Sequence, residues 1–274
     1  MMRGHYVEVE GAGAFVEELG QGPTVLCLHT AGQSGVQWRR AGPALAELGW
    51  RVLIPDLPGH GRSEPAPGGP IRDLGQYGAW CLALLRQMGA ERPAVVGCSI
   101  GGKIALDLAC RSGASLRGVV AMAADAGLDE RAGAGFARSM ERELEDSAAP
   151  SRSDRTYLGT LAVLGRAVPA ARQELIATMH RREDPAVTHS DLIGWANFDR
   201  WADLAAIRCP VHLVVGSDDL WMSPERAELT AAQIPGGRYT LLDGIGHYPM
   251  EEMDTMAELL DGWLRAFGEV LPCR

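Results

Sequence analysis

The sequence has no paired C-x-x-C cysteines, no glycine-rich phosphate loop ending in Lys-Ser or Lys-Thr, no cluster of lysines and arginines, and no apolar run approaching a membrane span. Each absence removes a class of function. Cys27, Cys81, Cys98, Cys110, Cys209 and Cys273 stand singly, most of them in apolar runs, as buried free thiols do and a disulfide framework or thiolate metal site does not. The histidines also lack metal-ligand spacing, so neither a metal nor an organic cofactor is expected. Basic side chains number 26 against 35 acidic ones, a net charge of -9, which argues against a groove for nucleic acid. Residues 1–5 run straight into an alternating pattern without the apolar segment of a signal peptide, so a cytoplasmic protein without membrane association is expected. A homodimer is left open, because no heptad or edge signal bears on it.

What is present is an ordinary globular composition, 46% hydrophobic and 22% charged over 274 residues, enough for one large core with an insertion. Short runs rich in Val, Ile and Leu at 24–29, 51–55, 94–97, 118–123, 211–216 and 239–242 read as buried strands. Helical spacing occupies 38–48, 74–88, 103–109, 224–234 and 252–267. This alternation predicts a mostly parallel sheet covered by helices on both faces. Residues 5–9 and 14–18 flank Gly11-Ala12-Gly13 as an antiparallel edge hairpin. The alternation breaks between 125 and 205, where helices are expected at 130–146, 155–167, 170–182 and 190–204, punctuated by Pro150, Pro169 and Pro185. The division is therefore a core of 1–124 and 206–274 with a helical cap of 125–205.

The most specific motif is Gly97-Cys98-Ser99-Ile100-Gly101, which follows a buried strand and opens a helix. A serine at such a turn is held in a strained conformation that needs small neighbours, here Gly97, Gly101 and Gly102, beside the free N–H groups of a helix start. Ser99 is the candidate nucleophile. A serine hydroxyl needs a base, and His247, in a glycine-rich loop after the last strand, is the candidate. His29 and His60 read as loop organisers, and His180 and His189 as solvated histidines of the cap. The base needs an acceptor at a strand end. Asp219 is preferred to Asp218, with Asp125 a second acid position.

Ser99, Asp219 and His247 follow one another in the order of the α/β-hydrolases. Five segments carry the likeness: Leu28-His29-Thr30-Ala31-Gly32, Asp56-Leu57-Pro58-Gly59-His60-Gly61-Arg62-Ser63, Gly97-Cys98-Ser99-Ile100-Gly101-Gly102, Gly216-Ser217-Asp218-Asp219 and Gly246-His247. The chain resembles an α/β-hydrolase-fold serine hydrolase of the esterase, lactonase or carbon-carbon hydrolase kind. The resemblance implies an eight-stranded, mostly parallel sheet with an inserted helical cap. It also implies an oxyanion hole from the N–H of Ile100 and a second N–H from Ala31, with Thr30 as the alternative. The family often has His-Gly where this chain has His29-Thr30.

Serine at position 99 argues against the haloalkane dehalogenases and epoxide hydrolases of this fold, which carry aspartate there. An acyl-enzyme on a small to medium, largely apolar ester, lactone or activated ketone is implied. Trp221, Trp195, Trp201 and Tyr248 are the candidate substrate contacts. Two other classes stand beside this one: a non-hydrolytic lyase, acyltransferase or cyclase on the same scaffold, and a silent binding protein.

Overall fold

The computed structural model describes residues 2–145 and 152–269; Asp146, Pro150 and Cys273 lie outside the described residues. The strands are β1 (Met2–Val9), β2 (Ala12–Leu19), β3 (Thr24–Leu28), β4 (Arg51–Pro55), β5 (Ala94–Cys98), β6 (Gly118–Met122), β7 (Val211–Gly216) and β8 (Arg238–Leu242). They form one sheet in the order β1-β2-β4-β3-β5-β6-β7-β8. β2 runs antiparallel to β1 and β4, and all other neighbours are parallel. This is the α/β-hydrolase fold.

The helices are α1 (Ala41–Glu47), α2 (Leu74–Gln87), α3 (Ile100–Ser112), α4 (Glu130–Glu145), α5 (Arg152–Ala162), α6 (Ala170–His180), α7 (Pro185–Asn197), α8 (Pro224–Gln233), α9 (Pro249–Glu252) and α10 (Met256–Glu269). Every residue of β3, β5, β6 and β7 is buried, as expected of parallel strands covered on both faces. The strand period of two divides them between two cores. Leu26, Leu28, Val95, Ala121 and Leu213 pack with α2, α3 and α8, through residues such as Tyr77, Leu84, Ile104 and Ala231. Val25, Cys27, Val96, Cys98 and Val214 pack with α1 and α10, through Leu45, Leu260 and Phe267. Full burial of each such aliphatic side chain contributes roughly 1.5 to 3 kcal/mol.

Several helices depart from their expected bounds, α3 running longer and α5 lying earlier than expected, and three departures have local reasons. Residues 38–48 divide into a 3-10 turn at Gly35–Trp38 and α1. The C-terminal pattern is interrupted after Glu252, giving α9 and α10. The helix expected at 190–204 begins at Pro185, because Asp184 caps it by accepting from Ala186 N at 2.8 Å and Val187 N at 3.3 Å. A proline whose missing N–H would be unpaired anyway starts a helix as readily as it ends one. A 3-10 turn, Trp201–Ala206, follows. Between β6 and β7 the chain therefore forms α4 to α7, with α4 against α7 and α5 against α6. No helix among the described residues is long and apolar enough to cross a membrane.

The packing of α3 against the end of β3 depends on glycine. A Cβ on Gly101 would lie 2.7 Å from the carbonyl oxygens of both Leu28 and His29, distances that rigid backbone cannot relieve. Gly101→Ala is expected to lower stability by about 2 to 3 kcal/mol, read by thermal or urea denaturation. An unchanged midpoint would mean that strand and helix can separate without cost.

Candidate active site

Ser99 stands between β5 and α3 with φ 57° and ψ -117°, a conformation costing about 1 to 3 kcal/mol for a residue with a Cβ. Its N–H donates to Met122 O at 2.9 Å, tying the turn to β6. Ile100 opens α3, so its N–H has no partner one turn earlier and finds none among the described residues.

Asp219 and His247 come from the loops after β7 and β8. The Asp219 carboxylate is buried; Oδ1 accepts from the N–H groups of Trp221 at 2.9 Å and Met222 at 3.1 Å. Oδ2 lies 2.7 Å from His247 Nδ1. A carboxylate there fixes the Nδ1–H tautomer and leaves Nε2 as acceptor. The Cys98 thiol donates to His247 O at 3.1 Å, which sets the histidine backbone beside the residue preceding Ser99. Burial pushes the Cys98 thiol well up, so it stays protonated.

The His247 loop is held by Glu252, whose Oε2 accepts from Gly246 N at 2.6 Å and Gly165 N at 3.0 Å while Oε1 accepts from Tyr248 N at 2.8 Å. His247 N itself donates to Val163 O at 2.9 Å. Burial raises the Glu252 pKa despite those three donors.

The other two acids have different work. Asp218 accepts from Arg166 N at 2.7 Å and also pairs with its guanidinium. Asp125, buried, lies 2.6 Å from Lys103 Nζ and 3.0 Å from Arg226 Nε. Lys103 is itself fully buried, its ammonium 4.9 Å from the ring centres of Trp195 and Phe198. Desolvation lowers its pKa against the pull of Asp125.

Opposite the elbow lies the loop 30–32. Thr30 N donates to Gln37 Oε1 at 2.9 Å, and Gly32 N to Asp191 Oδ2 at 2.9 Å. The N–H of Thr30 is therefore taken, whereas the Ala31 N–H has no partner among the described residues. His29 braces the loop: Nε2 accepts from Leu57 N at 3.0 Å and Nδ1 lies 2.9 Å from Thr30 O. Burial, helped by nearby His60, pushes the His29 pKa down to about 4, so the ring is neutral.

A cavity of about 430 Å³ opens beside Asp219, walled by Trp195, Leu220, Trp221, Met222, Asp125 and Arg226. Trp221 is half exposed, its ring edge-on to His247 at 4.9 Å. Tyr248 is buried on another side of the imidazole, also at 4.9 Å, and does not line the cavity. Nor does Trp201, whose indole N–H donates to Gly127 O at 3.1 Å.

His180 and His189, expected at the surface, are buried. His180 Nε2 lies 2.7 Å from Glu251 Oε2, and Nδ1 is 3.2 Å from Thr160 Oγ1. Helices α6 and α7 bury polar side chains such as His180, His189 and Asp191, which a solvated-face reading overlooks. Gln37, Lys103 and Glu252 are buried polar residues of other helices and turns, and with Asp191 they were missed because a polar side chain on a helix reads as solvated. Only Lys103 left a signal, as a lone cation inside the fully buried stretch that opens α3.

Residues 23–254 match the family described as alpha/beta hydrolase fold, and the chain belongs to that family. Among curated relatives, a pimeloyl-(acyl-carrier protein) methyl ester esterase of Aromatoleum aromaticum is 32% identical over 240 residues, covering 83% of this chain and 92% of its own. A 2-succinyl-6-hydroxy-2,4-cyclohexadiene-1-carboxylate synthase of Klebsiella pneumoniae is 28% identical over 207 residues, covering 72% of this chain and 78% of its own. Among solved structures, a thermophilic esterase from Thermogutta terrifontis superposes with a TM-score of 0.81 at 23% identity, over 97% of this chain and 99% of that one. At that identity the likeness is one of fold.

Proposed function

We propose that the protein is a serine hydrolase of a small to medium, largely apolar ester or lactone, with Ser99 as nucleophile, His247 as general base and then acid, and Asp219 as its orienting carboxylate. One observation carries the reading: a serine held at positive φ on a strand-helix elbow, in a chain whose buried Asp219 carboxylate meets His247 Nδ1 at 2.7 Å. His247 Nε2 takes the hydroxyl proton as Ser99 Oγ attacks the carbonyl. The N–H groups of Ile100 and Ala31 stabilise the oxyanion, each such donor being worth about 3 to 4 kcal/mol. The imidazolium returns its proton to the leaving group, and a water activated by the same ring releases the acyl-enzyme. Trp195 and Trp221 supply apolar surface for the acyl or alcohol part, and 125–205 acts as the cap over it. The esterase relative supports ester chemistry.

The synthase relative favours a second reading, in which the same serine and histidine move protons without net hydrolysis. Stoichiometric labelling of Ser99 by a fluorophosphonate, lost in Ser99→Ala, together with turnover of short p-nitrophenyl esters and incorporation of label from H₂¹⁸O into the acid product, is the expected result. Absence of labelling in folded protein overturns the hydrolase; labelling without ester turnover supports the second reading.

A further inference from the structure

We propose that Asp191, carried by α7, is a positioning residue that fixes the Ala31 N–H as the second oxyanion donor. The assignment rests on the serine-hydrolase reading above.

The argument is one of peptide planes. Thr30 O accepts from Gln33 N at 3.2 Å and lies 2.9 Å from His29 Nδ1. In a trans peptide the following N–H points opposite to that carbonyl, so the Ala31 N–H is aimed away from His29 and Gln33. The next plane is fixed from its other end, because Gly32 N donates to Asp191 Oδ2 at 2.9 Å. With Thr30 N held by Gln37 at 2.9 Å, both neighbours of Ala31 are pinned and its own N–H is the one left to give.

Asp191 is built for this. It is fully buried, and each oxygen is committed: Oδ2 also lies 2.8 Å from His60 Nε2, and Oδ1 accepts from Tyr77 Oη at 2.7 Å. Donors to a carboxylate bind more tightly than donors to a neutral oxygen. The approach is close as well as polar. Gly32 has φ +66°, and a Cβ there would lie 2.0 Å from Thr188 Oγ1 on the same helix. Helix α7 is thus a wall of the oxyanion loop, and its departure would withdraw the acceptor that holds Gly32.

The test compares wild type, Asp191→Asn and Tyr77→Phe on one p-nitrophenyl ester and on a trifluoromethyl ketone of matching acyl chain, which mimics the tetrahedral adduct. Asp191→Asn is expected to lower kcat about 100-fold. KM should stay within about threefold, and the ketone should weaken in proportion to kcat/KM. Tyr77→Phe removes one donor from Asp191 and should lose about fivefold in the same pattern. Wild-type kcat in a folded Asp191→Asn, or in Tyr77→Phe if the former does not fold, overturns the assignment. So does a loss confined to KM, the signature of a residue that only seats the cap. Wild-type protein that neither turns over nor takes the label overturns the hydrolase reading and the assignment with it, whereas an active wild type indifferent to both substitutions overturns the assignment alone.

Discussion

On the serine-hydrolase reading, alanine at Ser99 or at His247 is expected to lower kcat by on the order of a millionfold, with the double variant falling little further. Either loss removes the covalent route entirely, since a serine without its base and a base without its serine are equally idle. What survives is binding and any residual stabilisation of the oxyanion by the Ile100 and Ala31 N–H groups. Ser99→Ala keeps the Cβ that already tolerates φ 57°, so the elbow is expected to fold as before. Single-turnover kinetics with a chromogenic ester, alongside thermal melts of all three variants, provide the measurement. Losses that add on a logarithmic scale would mean that the two residues act independently and would sink the pairing.

Asp219→Asn is expected to cost about ten-thousandfold in kcat while leaving substrate binding nearly intact. The reason lies in what surrounds the carboxylate. Oδ1 accepts from the Trp221 and Met222 N–H groups at 2.9 and 3.1 Å, and those donors would hold the amide oxygen of asparagine in the same place. The amide NH₂ would then face His247 Nδ1, which must accept, and the proton would move to Nε2, where a base is needed. The neighbouring acids predict contrasting outcomes. Asp218→Asn loses only its pairing with Arg166 at the surface and should change kcat by less than about threefold. Asp125→Asn strands Lys103 without a full counter-charge and should cost about 3 to 5 kcal/mol of stability, with little change in the kcat of the folded fraction. A larger kinetic loss at Asp125 than at Asp219 would put the acid after β6 instead.

The fold and the Ser99 elbow were legible because both are local. Five-residue apolar runs separated by helical spacing leave few topologies, and G-x-S-x-G between strand and helix carries its own steric logic. Asp219 and Asp218, neighbours in one turn, face different partners, His247 and Arg166, but which of the two meets the histidine depends on the fold of the turn and not on residue type. Several supporting residues were not legible because a decisive partner is remote in sequence. Asp191 meets Gly32 across 159 positions, and Gln37 meets Glu251 across 214. A polar residue on a helix reads as solvated until the chain brings a buried donor to it. The same remoteness hid His180 and made the aromatic residues of the cap indistinguishable, although Trp195 lines the cavity and Trp201 does not.

β6 and β7 are neighbours in the sheet, with Met122 opposite Val214. The two strands are parallel, so the chain leaves the sheet past Met122 and re-enters it at Val211, opposite Val119, with α4 to α7 carried in the crossover from one end of the strands to the other. Closing a loop grows costlier only slowly with length, by roughly 0.6 kcal/mol per doubling. An excursion half or twice as long could be grafted at those two points while the sheet keeps its register. The elbow has no such latitude, and the room in which this scaffold can acquire new specificity lies where chain length is thermodynamically almost indifferent.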